Sequence, residues 1–170
     1  QEVGIVGDSI WQADRTLVCG MVQTLASRLA NYTADELIER HLVAQAEREK
    51  KEIQNLTARL ARKKAPNDER TKAIAQLKRD LAKQRMSDAD LAVHIERKLE
   101  TQAKNRAETL ELLKSFEFVI AEEAHEAGGN SYFDLMQSCT NANYRLALTA
   151  TPFMRDDAES NMRLMAVSGG

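Results

Sequence analysis

The chain has 170 residues, of which 43% are hydrophobic, 29% charged and 5% aromatic, enough to form one ordinary domain. Its formal net charge of −2 does not by itself indicate a polyanionic or membrane partner. Two cysteines, Cys19 and Cys139, are too few for a disulfide framework, and no Cys and His cluster has the spacing of a zinc site. No apolar run approaches the roughly 18 residues of a membrane span. The composition predicts a soluble protein with free thiols and no membrane partner, and the cytoplasm is its expected location.

Charge is distributed unevenly along the chain. Residues 34–114 contain 19 Lys and Arg against 15 Asp and Glu, whereas the remaining residues contain 5 against 11. The middle of the chain is therefore mildly basic. The two ends, which contain the candidate site residues described below, are acidic.

Short apolar runs separated by turn residues mark the first part of the chain. Residues 3–6 end at a Gly-Asp pair and predict a strand, residues 17–19 predict a second strand, and residues 21–29 predict a short helix. This alternation is typical of an α/β sheet. Gln23 and Thr24 lie at the start of the predicted helix, where backbone N–H groups favour an anion. Thr24 has an alternative role as a cap of that helix.

A long helical stretch follows, because residues 33–114 contain no glycine and a single proline, Pro66. Thr33 and Glu36 have the spacing of a capping box at its start. Apolar residues of the first limb occupy a and d positions of one heptad frame, with Glu49 as the lone polar residue in it: Leu42, Ala46, Ile53, Leu56 and Leu60. Pro66 ends this limb, and Asn67 is placed to cap the next helix.

The return limb repeats the apolar rhythm, and a second capping-box pattern at residues 87–90 predicts a break or jog within it. Its apolar positions are Ile74, Leu77, Leu81, Leu91, Ile95, Leu99, Ala103, Leu110 and Leu113. The pattern predicts an antiparallel coiled-coil hairpin over residues 33–114, inserted between residues 1–32 and 115–170. Basic residues cluster around its tip: Arg59, Arg62, Lys63, Lys64, Arg70 and Lys72. They form either a solvated face or a nucleic-acid surface.

Two further apolar runs stop abruptly in polar residues. Residues 116–121 predict a strand that is buried on both faces of a parallel sheet, and it ends in two carboxylates, Glu122 and Glu123. Residues 144–148 predict another strand, which ends in Thr149 and Thr151. Ligands of open α/β sheets bind outside the carboxyl ends of the strands. The acid pair and the hydroxyl pair are therefore predicted at one edge of one sheet.

A short helix is predicted between these two strands. Residues 128–130 form a loop, and Ser131 with Asp134 is placed to cap a helix that reaches about Ser138. Its predicted buried face consists of Tyr132, Leu135 and Met136.

At these positions the sequence resembles a known family. Residues 122–125, Glu-Glu-Ala-His, resemble the DEAH box (motif II) of superfamily 2 helicases, and residues 148–153, Leu-Thr-Ala-Thr-Pro-Phe, resemble their motif III. Arg155 and Asp156 continue motif III as in the DNA-repair and phage-type members. Residues 22–25, Val-Gln-Thr-Leu, resemble the segment between motifs Ia and II that contacts the nucleic-acid backbone in that family. The three motifs occur in the family's order.

The resemblance implies an α/β fold, part of a RecA-like parallel sheet, that binds ATP and Mg²⁺ and hydrolyses ATP in the full-length protein to drive unwinding or translocation. Glu122 is expected to hold Mg²⁺, since hard cations take oxygen ligands, and Glu123 to act as the base that orients the attacking water. His125, Thr149 and Thr151 are expected to couple the nucleotide state to domain movement. The expected partners are nucleic acid, with DNA favoured over RNA, and the remaining helicase domains of the same chain.

The candidate nucleic-acid contacts are of two kinds. Gln23 and Thr24 are expected to contact the nucleic-acid backbone by resemblance, and Arg62, Lys63 and Lys64 by their charge.

The acid box also has an alternative interpretation without a function. Its two carboxylates are consistent with solvated acids in a loop, and its histidine is consistent with a residue at the start of a helix.

The sequence departs from the family pattern at two points. Glu122 stands where the family has Asp, and no Gly-x-x-x-x-Gly-Lys-Ser/Thr occurs, because Gly4 and Gly7 are followed by Asp8 and Ser9 without a lysine. We therefore expect a segment of the first RecA-like domain without its phosphate-binding loop, inactive when isolated. The alternative function is a non-catalytic α/β module whose hairpin mediates protein or nucleic-acid interaction.

Overall fold

The computed structural model describes residues 2–151 and 158–168. Its elements in chain order are β1 (Val3–Gly7), β2 (Ile10–Trp11), β3 (Leu17–Gly20), α1 (Val22–Leu29), α2 (Ala34–Arg62), α3 (Asn67–Gln84), α4 (Asp88–Ser115), β4 (Phe118–Glu122), a 3₁₀ helix (Ala124–Gly128), α5 (Asn130–Ser138), β5 (Tyr144–Leu148) and α6 (Ala158–Ser168). The chain divides into two compact units, residues 1–31 with 101–170 and residues 32–100. We call them the sheet unit and the helical unit. The assignment of the two parts as a helicase core and an insertion stays a prediction.

The first sheet of the sheet unit has the order β2-β1-β3. As predicted, β1 and β3 form as strands and α1 as a helix, and β1 pairs in parallel with β3, with Val3 opposite Leu17. The strand β2 was not predicted, and it pairs antiparallel with β1 through Gly7 opposite Ile10. Asp8 and Ser9 connect them with φ angles of 49° and 66°, the positive values that a type I′ hairpin turn requires. The glycine-containing segment is therefore a hairpin.

The second sheet contains β4 and β5, which pair in parallel from Phe118 opposite Tyr144 to Glu122 opposite Leu148. This confirms the predicted pairing of the strands that contain Val119 and Leu146. The expectation of one sheet was wrong, because no strand in the described part of the chain bridges β4–β5 to β1–β3. The chain is mixed α/β with two small sheets.

The core of the sheet unit is assembled from most of its elements. It consists of Val6, Leu25, Leu112, Leu113, Ala121, Ala124, Tyr132, Leu135, Met136, Cys139, Leu164 and Val167. Burial on both faces of β4 was wrongly predicted: Ala121 is 3% exposed, but Phe118 and Ile120 are 54% and 51% exposed. Alternate residues of a strand point to opposite faces, and the described elements pack against one face only.

The helical unit begins and turns where the local signals predicted. The Glu36 backbone N–H donates to Thr33 Oγ1 at 3.3 Å, and the Thr33 N–H donates to Glu36 Oε2 at 2.7 Å, so the first capping box is present. The Thr33 hydrogen bonds hold the pKa of Glu36 below its usual value. At the second box the Asp90 N–H donates to Ser87 Oγ at 3.2 Å.

Two details of the helix caps differ from expectation. Pro66, not Asn67, is the N-cap of α3, since its backbone is extended with φ −57° and ψ 150°. Gly129, not Ser131, precedes the first helical residue of α5, and no side chain caps that helix. The predicted buried face of α5 is confirmed, with Tyr132 7% exposed.

The heptad frame predicted for α2 is correct in its second half and wrong in its first. Ile53, Leu56 and Leu60 lie on the less exposed side, but Leu42 and Ala46 are exposed. A straight helix drifts by about 20° per heptad against a 3.5-residue repeat, which moves the inner face onto neighbouring residues. His41 and Gln45 occupy it instead, next to Glu49, which the frame had placed there correctly.

The return limb runs antiparallel to α2. Arg85 contacts Glu49 at 2.7 Å, and the His94 ring lies 5.4 Å from the His41 ring between centroids. These pairs join α2 first to the end of α3 and then to the start of α4. The coiled-coil assignment itself stays a prediction.

Candidate functional site

The acid box lies at the carboxyl end of β4. Glu122 is the last residue of the strand, and Glu123 connects it to the 3₁₀ helix. Ala121 and Ala124 on either side are 3% and 0% exposed, whereas both glutamates are exposed. The buried alanines thus anchor the segment in the core and leave the two carboxylates at the surface.

Glu123 has an uncommon backbone conformation. Its φ of 51° and ψ of 45° place it in the left-handed region, which costs an L-residue roughly 1–2 kcal/mol. Such outliers persist where the surrounding structure over-determines them, and they cluster at functional sites. The Glu123 carboxylate lies next to the imidazole of His125, with 3.3 Å between Oε2 and Nδ1.

His125 joins the ends of the two paired strands. Its Nδ1 lies 3.0 Å from Thr149 Oγ1 and 3.3 Å from Glu123 Oε2, and its Nε2 lies 3.5 Å from Glu126 Oε1. The ring is half-buried, with 21% of the side chain exposed.

The structure brings together three of the predicted site residues, Glu123, His125 and Thr149. Thr149 follows β5 directly, and its hydroxyl also accepts the Thr151 backbone N–H at 3.2 Å. Thr151 therefore joins this arrangement through its backbone, and its side chain is exposed. Pro152, Phe153, Arg155 and Asp156 of the motif III resemblance lie outside the described residues.

Tyr132 supports the acid box and was predicted only as a core residue. Its hydroxyl donates to the Glu122 backbone oxygen at 2.9 Å. Burial, and then the nearby charge of Glu122, raise the pKa of the Tyr132 phenol. The contact fixes the end of β4 to α5. No sequence signal pairs a helix tyrosine with a strand end ten residues earlier.

Gln23 and Thr24 lie in the first turn of α1. The N-cap is Met21 and no side chain caps the helix, so the alternative role of Thr24 as a cap is wrong. Within the described residues, neither side chain is hydrogen-bonded to the acid box. Their assignment as backbone contacts stays a prediction.

A polar network missed by the sequence reasoning holds α1 in place. Arg28 donates to Glu108 Oε2 at 2.7 Å and to Thr109 Oγ1 at 3.0 Å, and its guanidinium lies 3.8 Å from the centroid of the Trp11 ring. Arg106 donates to the Leu29 backbone oxygen at 2.7 Å. These contacts fix the helix that carries Gln23 and Thr24 to the second half of α4.

Arg62, Lys63 and Lys64 belong to the helical unit. Arg62 is the last residue of α2, Lys63 caps it, and Lys64 has a φ of 53°. All three side chains are exposed. The acid box and these basic residues therefore belong to two different units.

The donor set fits Mg²⁺ as a partial ligand set. Exposed carboxylates at Glu122 and Glu123 are the oxygen donors that this ion prefers, and Mg²⁺ is commonly held by one or two carboxylates together with substrate phosphates and water. Among the described residues, no cluster of three or more His, Cys, Asp or Glu could hold a metal alone. The part of the chain that the structure describes also has no lysine-containing phosphate loop. The chain therefore fits one side of a magnesium–nucleotide site.

No helix among residues 2–151 and 158–168 is long and apolar enough to cross a membrane. Comparison with family models matches residues 37–154 to the family described as type III restriction enzyme, res subunit. The match covers 118 of the 170 residues and includes both the acid box and most of the helical unit. No curated protein and no solved structure matches the chain. The chain belongs to the type III restriction enzyme res subunit family, and it therefore carries a helicase-type ATPase segment.

Proposed function

We propose that the chain forms the hydrolytic edge of an ATP-dependent nucleic-acid helicase or translocase, with residues 122–125 as its DEAH-like box and residues 148–153 as its motif III. The single observation that carries this proposal is the arrangement of Glu123, His125 and Thr149 across two paired parallel strands. The expected base, the expected coupling histidine and the expected hydroxyl are in contact at the edge where ligands of such sheets bind.

The two carboxylates divide the work. Glu122, whose backbone oxygen accepts a hydrogen bond from Tyr132, would hold Mg²⁺. A bound nucleotide would supply the phosphoryl group, and the ion would neutralise charge on the phosphate oxygens. Glu123 would orient the attacking water and accept its proton. Its exposed carboxylate, 70% accessible, is free to turn toward a water on the solvent side.

His125 provides the link between hydrolysis and movement. Its Nδ1 faces both the Glu123 carboxylate and the Thr149 hydroxyl. When the Glu123 carboxylate turns toward the water, its contact with Nδ1 is weakened. The ring then settles on Thr149, whose hydroxyl also holds the backbone of Thr151. A change at the end of β4 is passed in this way to the segment after β5.

Nucleic acid is the proposed partner, with DNA favoured over RNA. Gln23 and Thr24 are the proposed backbone contacts of the sheet unit, on a helix that Arg28 and Arg106 hold rigidly. The remaining helicase domains of the same polypeptide are the other proposed partners.

The test is nucleic-acid-stimulated ATP hydrolysis by the protein that carries this chain together with its other helicase domains. Glu123→Gln removes the base and keeps the shape, so we expect hydrolysis to fall by about 10²- to 10⁴-fold. Glu126→Gln is the matched control, since Glu126 Oε1 lies 3.5 Å from the other nitrogen of the same histidine. Its rate should stay within a few-fold of wild type.

Two further results bear on the proposal. The 170-residue chain alone is expected to hydrolyse no ATP. Full activity of Glu123→Gln would overturn the catalytic assignment and favour the alternative of a non-catalytic module that acts through its helices.

A further inference from the structure

We propose that the tip of the helical unit, residues 59–72, binds the phosphate backbone of DNA without reading its sequence. The proposal deepens the proposed function, on which it rests for the choice of nucleic acid as partner. The tip is the chain reversal between α2 and α3. It contains six basic residues against two acidic ones.

The backbone of the tip is fixed. The Ala65 N–H donates to the Leu60 carbonyl at 3.2 Å, and the Lys64 N–H donates to the Ala61 carbonyl at 3.0 Å. These two bonds are the Schellman pattern, which satisfies the last carbonyls of a helix. Pro66, with its own backbone extended at φ −57° and ψ 150°, then serves as the N-cap of α3. The basic side chains are therefore presented from a defined turn.

Lys64 occupies a position at which glycine is ordinarily favoured. It is the left-handed residue of the Schellman pattern, with a φ of 53°, and only glycine adopts that region without a steric penalty. A lysine at this position keeps a third consecutive positive charge at the tip at the expense of helix-end stability. Strained positions of this kind are found where function needs the side chain.

The basic side chains of the tip are not neutralised by the protein. Within the described residues, Arg59, Arg62, Lys63, Lys64 and Lys72 make no ion pair. At the other end of α3, by contrast, Arg85 makes a bidentate pair with Glu49. In the described part of the chain, these five side chains of the tip are therefore exposed and without an ion pair, whereas Arg85 is paired.

The composition of the tip selects the kind of partner. Residues 59–72 contain no aromatic residue, and Leu60 is their one large apolar residue. Protein interfaces depend on buried aromatic and apolar anchors, and recognition of single-stranded bases depends on stacking against aromatic rings. Phosphate contacts need only positive charge and position the protein without reading sequence. The tip therefore fits the phosphate backbone.

The test uses the full chain and fluorescently labelled DNA of two unrelated sequences, titrated at several salt concentrations. The variant Arg62→Gln, Lys63→Gln, Lys64→Gln should weaken binding at least tenfold near 0.1 M salt. The slope of log affinity against log salt should fall by about 0.9 for each phosphate that the variant no longer neutralises. Lys78→Gln, Arg79→Gln, Lys83→Gln is the matched control, because it removes the same charge from exposed positions of α3. It should change affinity much less.

The single variant Lys64→Gly separates binding from folding. It relieves the left-handed strain and removes one charge, so thermal stability should rise while affinity falls. Unchanged affinity and salt slope in the triple variant, or an equal loss in the control variant, overturns the proposal. If the tip variants lose DNA binding while Glu123→Gln keeps full ATP hydrolysis, the catalytic assignment is wrong and the proposal for the tip is supported. If the tip variants keep full DNA binding while Glu123→Gln loses ATP hydrolysis, only the proposal for the tip is wrong.

Discussion

The two units of the molecule are stabilised in different ways. In the sheet unit, Val6, Leu113 and Val167 are 0%, 2% and 1% exposed and belong to one continuous apolar core. In the helical unit, the longest helix, α2, has no buried residue at all. The buried apolar side chains of the helical unit are Leu81 in α3 and Ile95 in α4. One unit has a packed interior, and the other has a thin apolar seam.

Polar pairs replace the missing core of the helical unit. Arg85 makes two hydrogen bonds to Glu49, at 2.7 and 2.9 Å, and Gln45 donates to Glu49 Oε1 at 2.9 Å. These hydrogen bonds, the Arg85 pair above all, lower the pKa of Glu49 to about 2. Desolvation, followed by the charge of His94, lowers the pKa of His41.

The difference matches what each unit is proposed to do. A hydrolytic site needs its side chains held on packed elements, and the acid box is flanked by buried Ala121 and Ala124. A helical hairpin needs above all a fixed register between its limbs. One specific ion pair such as Arg85–Glu49 defines that register, although it adds little stability in an exposed setting.

The largest test of this contrast compares the same substitution in both units. Leu113→Ala removes a side chain that is 2% exposed, and large-to-small changes in a core cost about 2–5 kcal/mol. Leu42→Ala removes one that is 51% exposed, and surface changes stay within about 0.5 kcal/mol. Amide hydrogen exchange of peptides from each unit measures both. Equal destabilisation by the two variants would show that the helical unit has a packed core after all.

The features predictable from sequence are those with local causes. The capping box at Thr33 and Glu36 depends on residues three positions apart, and the start of α2 was therefore placed correctly. The pairing of β4 with β5 followed from two apolar runs that end in polar residues. The contact of His125 with Thr149 lies at that predicted edge, although the roles of both residues stay a prediction.

Features with non-local causes were missed. The inner position of Glu49 was predicted, but the shift of the inner face from Leu42 to His41 depends on the straightness of α2 and on its partner helices. Arg28 reaches Glu108, 80 residues later in the chain, and no periodicity reports such a contact. The exposed face of β4 depends on what packs against it, which a strand's own residues do not specify.

A second test sharpens the contrast inside the sheet unit, where strain is held at Glu123. Glu123→Gly removes the left-handed penalty, with φ of 51°, but adds backbone entropy to the unfolded chain. The net result is an expected gain of about 1 kcal/mol or less in unfolding free energy. Glu123→Gln keeps the strain and serves as the control with unchanged stability. Urea denaturation of both variants measures the difference, and a destabilised Glu123→Gly would mean that the carboxylate, through His125, holds the loop.

The smallest expected effect is a pH dependence of the helical unit. The pKa of Glu49 is lowered to about 2 by Arg85 and Gln45, so the folded state favours the charged carboxylate more than the unfolded state does. The stabilisation is therefore complete above the ordinary pKa of 4.5 and is lost as the pH falls from there toward 2. Because Arg85 is 57% exposed, solvent screening keeps the effect small.

Arg85→Gln isolates this contribution. Without the guanidinium the pKa of Glu49 should rise toward its ordinary value, and the loss of stability between pH 4.5 and 2 should become shallower than in wild type. Lys83→Gln removes the same charge from an exposed position two residues earlier, in α3, and should leave the wild-type slope. Hydrogen exchange of α2 peptides across that pH range measures the stability of the helical unit. Titration of His41 contributes equally in wild type, Arg85→Gln and Lys83→Gln, so it cancels when the three curves are compared. Parallel curves for wild type and Arg85→Gln would mean that the Arg85–Glu49 pair does not stabilise the hairpin, and its register would then depend on the apolar seam of Ile53, Leu56 and Leu60.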